Sequence, residues 1–158
     1  MEEFNMAVQS KTFKYRTQVN WDIARIGTLS CNGKPDIKVA TPPEFKGHAG
    51  IWSPEDLFVA ALSSCFMTTF LGTAEWKGLE FLSFECDVEG TLARPDKEFL
   101  FTHATLRPRV VLPSDGDEDL ARWCLEFAEK DCLIAHTIST KISLEPEIIL
   151  EAPEMMQL

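Results

Sequence analysis

With 158 residues, an apolar fraction of 45% and a charged fraction of 25%, the chain has the composition of a globular domain able to bury a core. Its 25 acidic side chains against 15 basic ones give a net charge of −10, which repels a phosphate backbone and excludes a nucleic-acid role. The opening run Met1-Glu2-Glu3-Phe4-Asn5-Met6 has neither the basic nor the apolar segment of an export signal, so a cytoplasmic protein is expected.

In chain order, Lys11 to Asn20 and Ile23 to Cys31 read as strands, and Asn32-Gly33 is a hairpin turn signal. Ile37, Val39 and Thr41 continue as a third strand, so N-terminal strands are predicted over 11–41. Pro42-Pro43 ends them, and Glu44 to Trp52, with Gly47 and Gly50, reads as a loop. Ser53 is then placed to cap a helix, with Pro54 at its first position and Asp56 in its first turn. That helix is predicted over 53–77, stopped by Gly78.

Leu57 to Ala74 carries no charge over 18 positions, the lower limit for a membrane span. Ser63, Ser64, Cys65, Thr68 and Thr69 interrupt it, however, and a helix apolar on every side is expected to be buried in protein here. Phe84 to Leu92 alternates apolar with acidic residues, Arg94-Pro95-Asp96-Lys97 makes a turn, and Phe99 to Leu112 returns antiparallel, giving strands within 84–112. Ser114 is expected to cap a second helix over 115–131, whose first turn holds Asp115, Asp117, Glu118 and Asp119 at the favourable end of the dipole. A last strand is predicted over 137–145, with a loose tail after it. The order β-β-β-α-β-β-α-β makes a single α+β domain over 1–158, antiparallel sheet around a long buried central helix.

Of five cysteines without an export signal, most are expected to stay reduced. Cys86 alternates with Phe84 and Val88 on the inner face of a strand, Cys124 lies on the apolar stripe of the second helix, and Cys31 abuts a turn. These three read as small buried hydrophobes. Cys65, in mid-helix, and Cys132, at a helix end, are the candidates for chemistry. Burial alone raises a thiol pKa, so a reactive Cys65 needs a cation from elsewhere, Arg25 or Arg16. The negative end of a helix at Cys132 disfavours a thiolate there. Two readings stand: inert buried thiols, or a pair in which Cys65 attacks and Cys132 resolves. Cys132 and His136 also have i, i+4 spacing, but no CxxC or HxxxH cluster completes a zinc site. Neither Ser63 nor Ser64 lies in a G-x-S-x-G elbow.

The segment Ser53-Pro54-Glu55-Asp56-Leu57-Phe58-Val59-Ala60-Ala61-Leu62-Ser63-Ser64-Cys65-Phe66 resembles the central-helix signature of the OsmC/Ohr family, the osmotically inducible and organic hydroperoxide resistance proteins. Trp21-Asp22-Ile23-Ala24-Arg25-Ile26-Gly27-Thr28 is similar to the family's arginine-bearing turn, and the second cysteine follows at a similar interval. The resemblance implies an OsmC-like fold, an intertwined homodimer and a thiol-dependent peroxidase that reduces organic hydroperoxides. It assigns Cys65 as the reactive thiol, Cys132 as the resolving one, Arg25 as the cation and Glu55 as the carboxylate that holds it. It implies no bound cofactor, and a lipoyl-type dithiol as reductant. A non-catalytic, ligand-binding member of the same fold is the alternative.

Helical geometry adds a constraint. Glu55 and Cys65 are ten residues apart, about 15 Å along a regular helix, so one chain cannot bring both to one site. Two such helices packed antiparallel about a twofold near Ala60 set Glu55 of one subunit beside Cys65 of the other, which predicts a dimer with composite sites. The chain departs from the family in one respect. The family's second cysteine is usually followed by Pro and, two further on, by Ser, whereas here the run is Cys132-Leu133-Ile134-Ala135. Phe66, Met67, Phe70, Leu133 and Ile134 are expected to form an apolar pocket for a bulky peroxide.

Overall fold

The computed structural model describes residues 11–152, which fall into two compact units, one ending at Pro54 and the other beginning at Glu55. The first is an antiparallel sheet of β1 (Gln18–Ile23), β2 (Ile26–Ser30) and β3 (Ile37–Ala40), in that order. Ile23 pairs with Ile26, so Ala24 and Arg25 form the tight turn, with Ala24 left-handed at φ 49°. The turn expected at Asn32-Gly33 forms, closed by Lys34 N–H on Cys31 O at 3.0 Å with Gly33 at φ 74°. The first strand is shorter than the sequence predicts, starting at Gln18 rather than Lys11, because Gln18 already faces Ser30, where β2 ends. After Pro42 a short 3-10 turn (Pro43–Phe45) folds the chain back on Thr41. At Gly47 an added Cβ would collide with Thr41 O, so only glycine permits this return.

In the second unit, α1 (Pro54–Lys77) packs across the hairpin of β4 (Ser83–Ala93) and β5 (Leu100–Leu112). Its buried residues, Leu62, Phe66, Phe70, Thr73 and Ala74, recur at helical spacing and make one stripe. Phe70 stacks on Phe84 at 4.7 Å between ring centroids, and Phe58 on Phe101 at 4.4 Å. Each fully buried phenylalanine contributes about 1.5–3 kcal/mol of hydrophobic stabilisation. Within the single chain that stripe is the only buried part of the helix. Ala61, Ser64, Thr68 and Gly72 are exposed, as are Met67 (38%) and Leu71 (39%), although by length and composition α1 is apolar enough to cross a membrane.

Strand β4 alternates as its sequence requires, and its outward acids meet the arginines of β5. Arg107 binds Asp87, Glu89 and Glu145, while Arg109 binds Glu85 and Glu147. The second helix, α2 (Glu118–Asp131), starts three residues later than predicted. Pro113 to Gly116 form a turn, and Asp117 rather than Ser114 is the cap, accepting Leu120 N–H at 2.9 Å.

Three further corrections concern the C-terminal segment. A short helix, α3 (Leu133–Thr137), takes the start of the predicted last strand, which is β6 (Lys141–Leu144). The stretch expected to be loose forms β7 (Glu147–Leu150). Both β6 and β7 run parallel to β5, so the sheet is mixed rather than antiparallel, with residues 113–140 as the crossover a parallel return demands. Buried Pro108, which lacks an N–H, falls where the neighbour of β5 changes from β6 to β7. Leu106, Val110 and Leu112 of β5 then meet α1 and the buried face of α2, Ala121, Cys124, Leu125 and Ala128, in one core.

Candidate functional site: a thiol pair beside a groove

The second unit brings Cys65 and Cys132 together, both as free thiols and near enough for each to shift the ionisation of the other. Cys65 stands on α1 and is half-buried, whereas Cys132 is buried and is both the last cap of α2 and the first cap of α3. At the start of any helix the first N–H groups have no carbonyl partner. Here those of Leu133 and Ile134 lie near enough to the Cys65 sulfur to favour its charged form.

This arrangement decides which sulfur is the more acidic. Burial is the largest influence on Cys65 and pushes its pKa up. The Ile134 N–H, the Cys132 thiol and the Leu133 N–H, with Thr69 as the smallest influence, together outweigh it and bring the pKa below the ordinary thiol value. Cys132 goes the other way, pushed up to about 11 by burial first and by the Cys65 sulfur beside it, against the N–H groups of Ala135 and Ile134. Cys65 is therefore the first of the two to give up its proton, and Cys132 the one that holds it longer. The sequence anticipates this asymmetry but attributes it to a cation, whereas in this unit neutral donors produce it.

A groove of about 430 Å³ runs beside the pair. Thr68, Thr69 and Thr73 line one wall from α1, and Trp76 faces Phe127 of α2 at 6.1 Å between centroids. Asp131 and Leu133, the residues on either side of Cys132, complete it. The threonine hydroxyls donate back to helix carbonyls, Thr69 to Cys65 O at 2.8 Å and Thr73 to Thr69 O at 2.8 Å, so the groove offers few free donors. A Cβ added at Gly72 would meet nothing within 4 Å, which leaves the groove open there. Of the residues expected to form the pocket, Leu133 does so, whereas Phe66 and Phe70 are sealed in the core.

The two remaining site residues lie elsewhere. Glu55 is in the first turn of α1, ten residues before Cys65 on one regular helix, and its Oε2 is buried with no hydrogen-bond partner among the described residues. Arg25 belongs to the first unit, exposed in the β1–β2 turn, where Nη1 donates to Phe45 O at 2.7 Å and no carboxylate pairs with it among the described residues. Arg16, the other candidate cation, is also in the first unit and exposed. No group of three or more His, Cys, Asp or Glu side chains is arranged to hold a metal among the described residues. Thr69 and the amides after Cys132 escaped sequence reasoning. The i, i+4 spacing of Cys65 and Thr69 was the available signal for the first, and nothing announced the short helix that aims the amides.

Comparison with known proteins gives consistent results. The sequence model of the family described as OsmC-like protein matches residues 47–147. An uncharacterized protein of Bacillus subtilis, YmaD, is 27% identical over 135 residues, spanning 82% of this chain and 89% of that protein. An OsmC-like protein of unknown function from Vibrio cholerae superposes with a TM-score of 0.78 at 25% identity, over 85% of this chain and 99% of that one. An organic hydroperoxide resistance protein from Legionella pneumophila superposes with a TM-score of 0.70 at 17% identity, over 89% of this chain and 99% of its own.

Proposed function

Because this chain belongs to the OsmC-like family, we propose that it is a thiol-dependent peroxidase that reduces organic hydroperoxides to alcohols through Cys65 and Cys132. The observation that carries this reading is the nearness of two thiols whose pKa values are driven apart, a half-buried one shifted down and a buried one shifted up. The name of the Legionella relative supports the substrate class.

In this reading the Cys65 thiolate attacks the distal oxygen of the hydroperoxide. A sulfur–oxygen bond forms, the oxygen–oxygen bond breaks, and the alkoxide takes a proton and leaves as alcohol. Cys132 then attacks the sulfenic acid, its proton leaves with the hydroxyl as water, and a disulfide remains. A dithiol of the lipoyl type returns two electrons and two protons by thiol–disulfide exchange. Reducing surroundings such as the cytoplasm suit that last step.

The same reading makes the protein a homodimer. Apolar surface on α1 lies uncovered in the single chain at Ala61, Met67 and Leu71, as do Val19, Trp21 and Ile23 on one face of β1 at 62–76% exposure. Antiparallel packing of two α1 helices near Ala60 would cover the first set. Glu55 and Arg25 are assigned to the assembled site, where a guanidinium would satisfy the buried Glu55 Oε2 and steady the departing alkoxide.

Consumption of cumene hydroperoxide with dihydrolipoamide, by wild type and by Cys65→Ser, tests the proposal. Turnover lost in the variant supports it. Equal and negligible consumption by both supports a ligand-binding protein that uses the groove without chemistry.

A further inference from the structure

The groove beside Cys65 has one charged side chain in its wall, and its sign is the informative part. Asp131 is the last residue of α2, where the partial negative charge of the helix end opposes a carboxylate. Its position thus costs the helix some stability, and no cation repays it, for Asp131 takes part in no ion pair or hydrogen bond among the described residues. No lysine or arginine lines the groove. Lys130 precedes Asp131 in the last turn of α2 without lining the groove, and Lys77 Nζ is engaged with the aromatic rings, 4.1 Å over that of Trp76 and 4.7 Å over that of Trp123. The rest of the wall is aromatic or aliphatic, or carries hydroxyls already committed to α1.

We infer that Asp131 sets the charge selectivity of this groove, admitting uncharged hydroperoxides and turning away those that carry a carboxylate. The inference rests on the peroxidase reading for its substrate class, but not for its charge argument. Like charges several ångströms apart near a surface change a binding constant about fivefold at low salt, an effect that ionic strength screens. Thr69 and Leu133 belong both to this wall and to the residues that shift the Cys65 thiol, so the groove that holds the Asp131 carboxylate adjoins that thiol.

The test uses iodoacetamide and iodoacetate, thiol reagents of similar size, one neutral and one anionic. Their rates on Cys65 are measured at low salt and divided by the same ratio for free glutathione. Because both react with one thiol, the ratio cancels any change in its thiolate fraction. The neutral reagent is expected to be favoured about fivefold in wild type, and Asp131→Asn to reduce that advantage about threefold. Glu126→Gln changes the net charge equally on the exposed surface of α2, outside the groove, and leaves the ratio in place. An unmoved ratio in Asp131→Asn, or an equal shift in both variants, overturns the inference. Turnover of cumene hydroperoxide against its para-carboxylate then carries the ratio to substrates, and a preference for the carboxylate also overturns it. If wild type consumes neither peroxide, the peroxidase reading fails, and the alkylation ratio still decides the role of Asp131.

Discussion

At the residue scale, Cys65 is made acidic by small contributions that sum, and one of them can be removed cleanly. Leu133 supplies an N–H to the sulfur from the first position of α3. Proline fits that position of a helix, and the preceding Cys132 already has the extended backbone, φ −65° and ψ 116°, that a following proline requires. Leu133→Pro therefore keeps the local fold while deleting one donor. Hydrogen bonds to charged groups are worth about 1.5–3 kcal/mol, so alkylation of Cys65 at neutral pH is expected to slow several-fold, with the midpoint of its pH profile moving up. An unchanged profile would show that the Leu133 amide contributes nothing. The sequence pointed to the two sulfurs, because a mid-helix cysteine and a helix-end cysteine are visible in it. It did not reveal the amide donors, because which N–H groups are free depends on where α3 begins.

Elements carry their own consequences. On β4, Cys86 faces inward between Phe84 and Val88, and burial pushes its thiol up to about 11, the Arg107 backbone opposing and Asp87 adding to it. A folded chain that holds this proton more tightly than the unfolded one loses stability where only the unfolded chain releases it. Stability from this source is intact below about pH 9 and declines as pH rises towards 11, and Cys132 acts in the same sense. Cys65 has the opposite sign, since its lowered pKa adds stability at alkaline pH that is lost as pH falls through it. Denaturant midpoints recorded from pH 8 to 11 should fall in wild type and fall less in Cys86→Ala, whereas parallel curves would contradict the assignment. Among the elements, α1, β4 and β5 were legible from length and alternation. The start of α2 was not, because Ser114 and Asp117 are both good caps and the turn closed by Gly116 N–H on Pro113 O decides between them. Strand β7 was hidden because Glu147-Ile148-Ile149-Leu150 is short and lacks alternation, and only pairing with β5 defines it.

For the whole molecule, α1 offers more apolar surface than one chain covers, and the proposed twofold near Ala60 uses it. Ala61 is exposed on that helix, and a carboxylate there would be buried without a partner in the seam. Sedimentation should give twice the 17.8 kDa chain mass for wild type and a single-chain mass for Ala61→Glu. A wild type that sediments as one chain would refute the dimer, and with it the composite role of Glu55. Uniform apolarity of α1 was readable in its sequence, whereas the division of its faces between core and surface was not. That division follows from the packing of α1 against β4 and β5, which lie further along the chain.

The central claim is that Cys65 and Cys132 form a working redox couple. Reduced protein treated with one equivalent of cumene hydroperoxide, then digested without reductant and analysed by mass spectrometry, tests it most directly. The account predicts that the peptides bearing Cys65 and Cys132 become covalently joined as the peroxide is consumed, each sulfur having lost its hydrogen. Recovery of both cysteines as free thiols, with the peroxide intact, would contradict it.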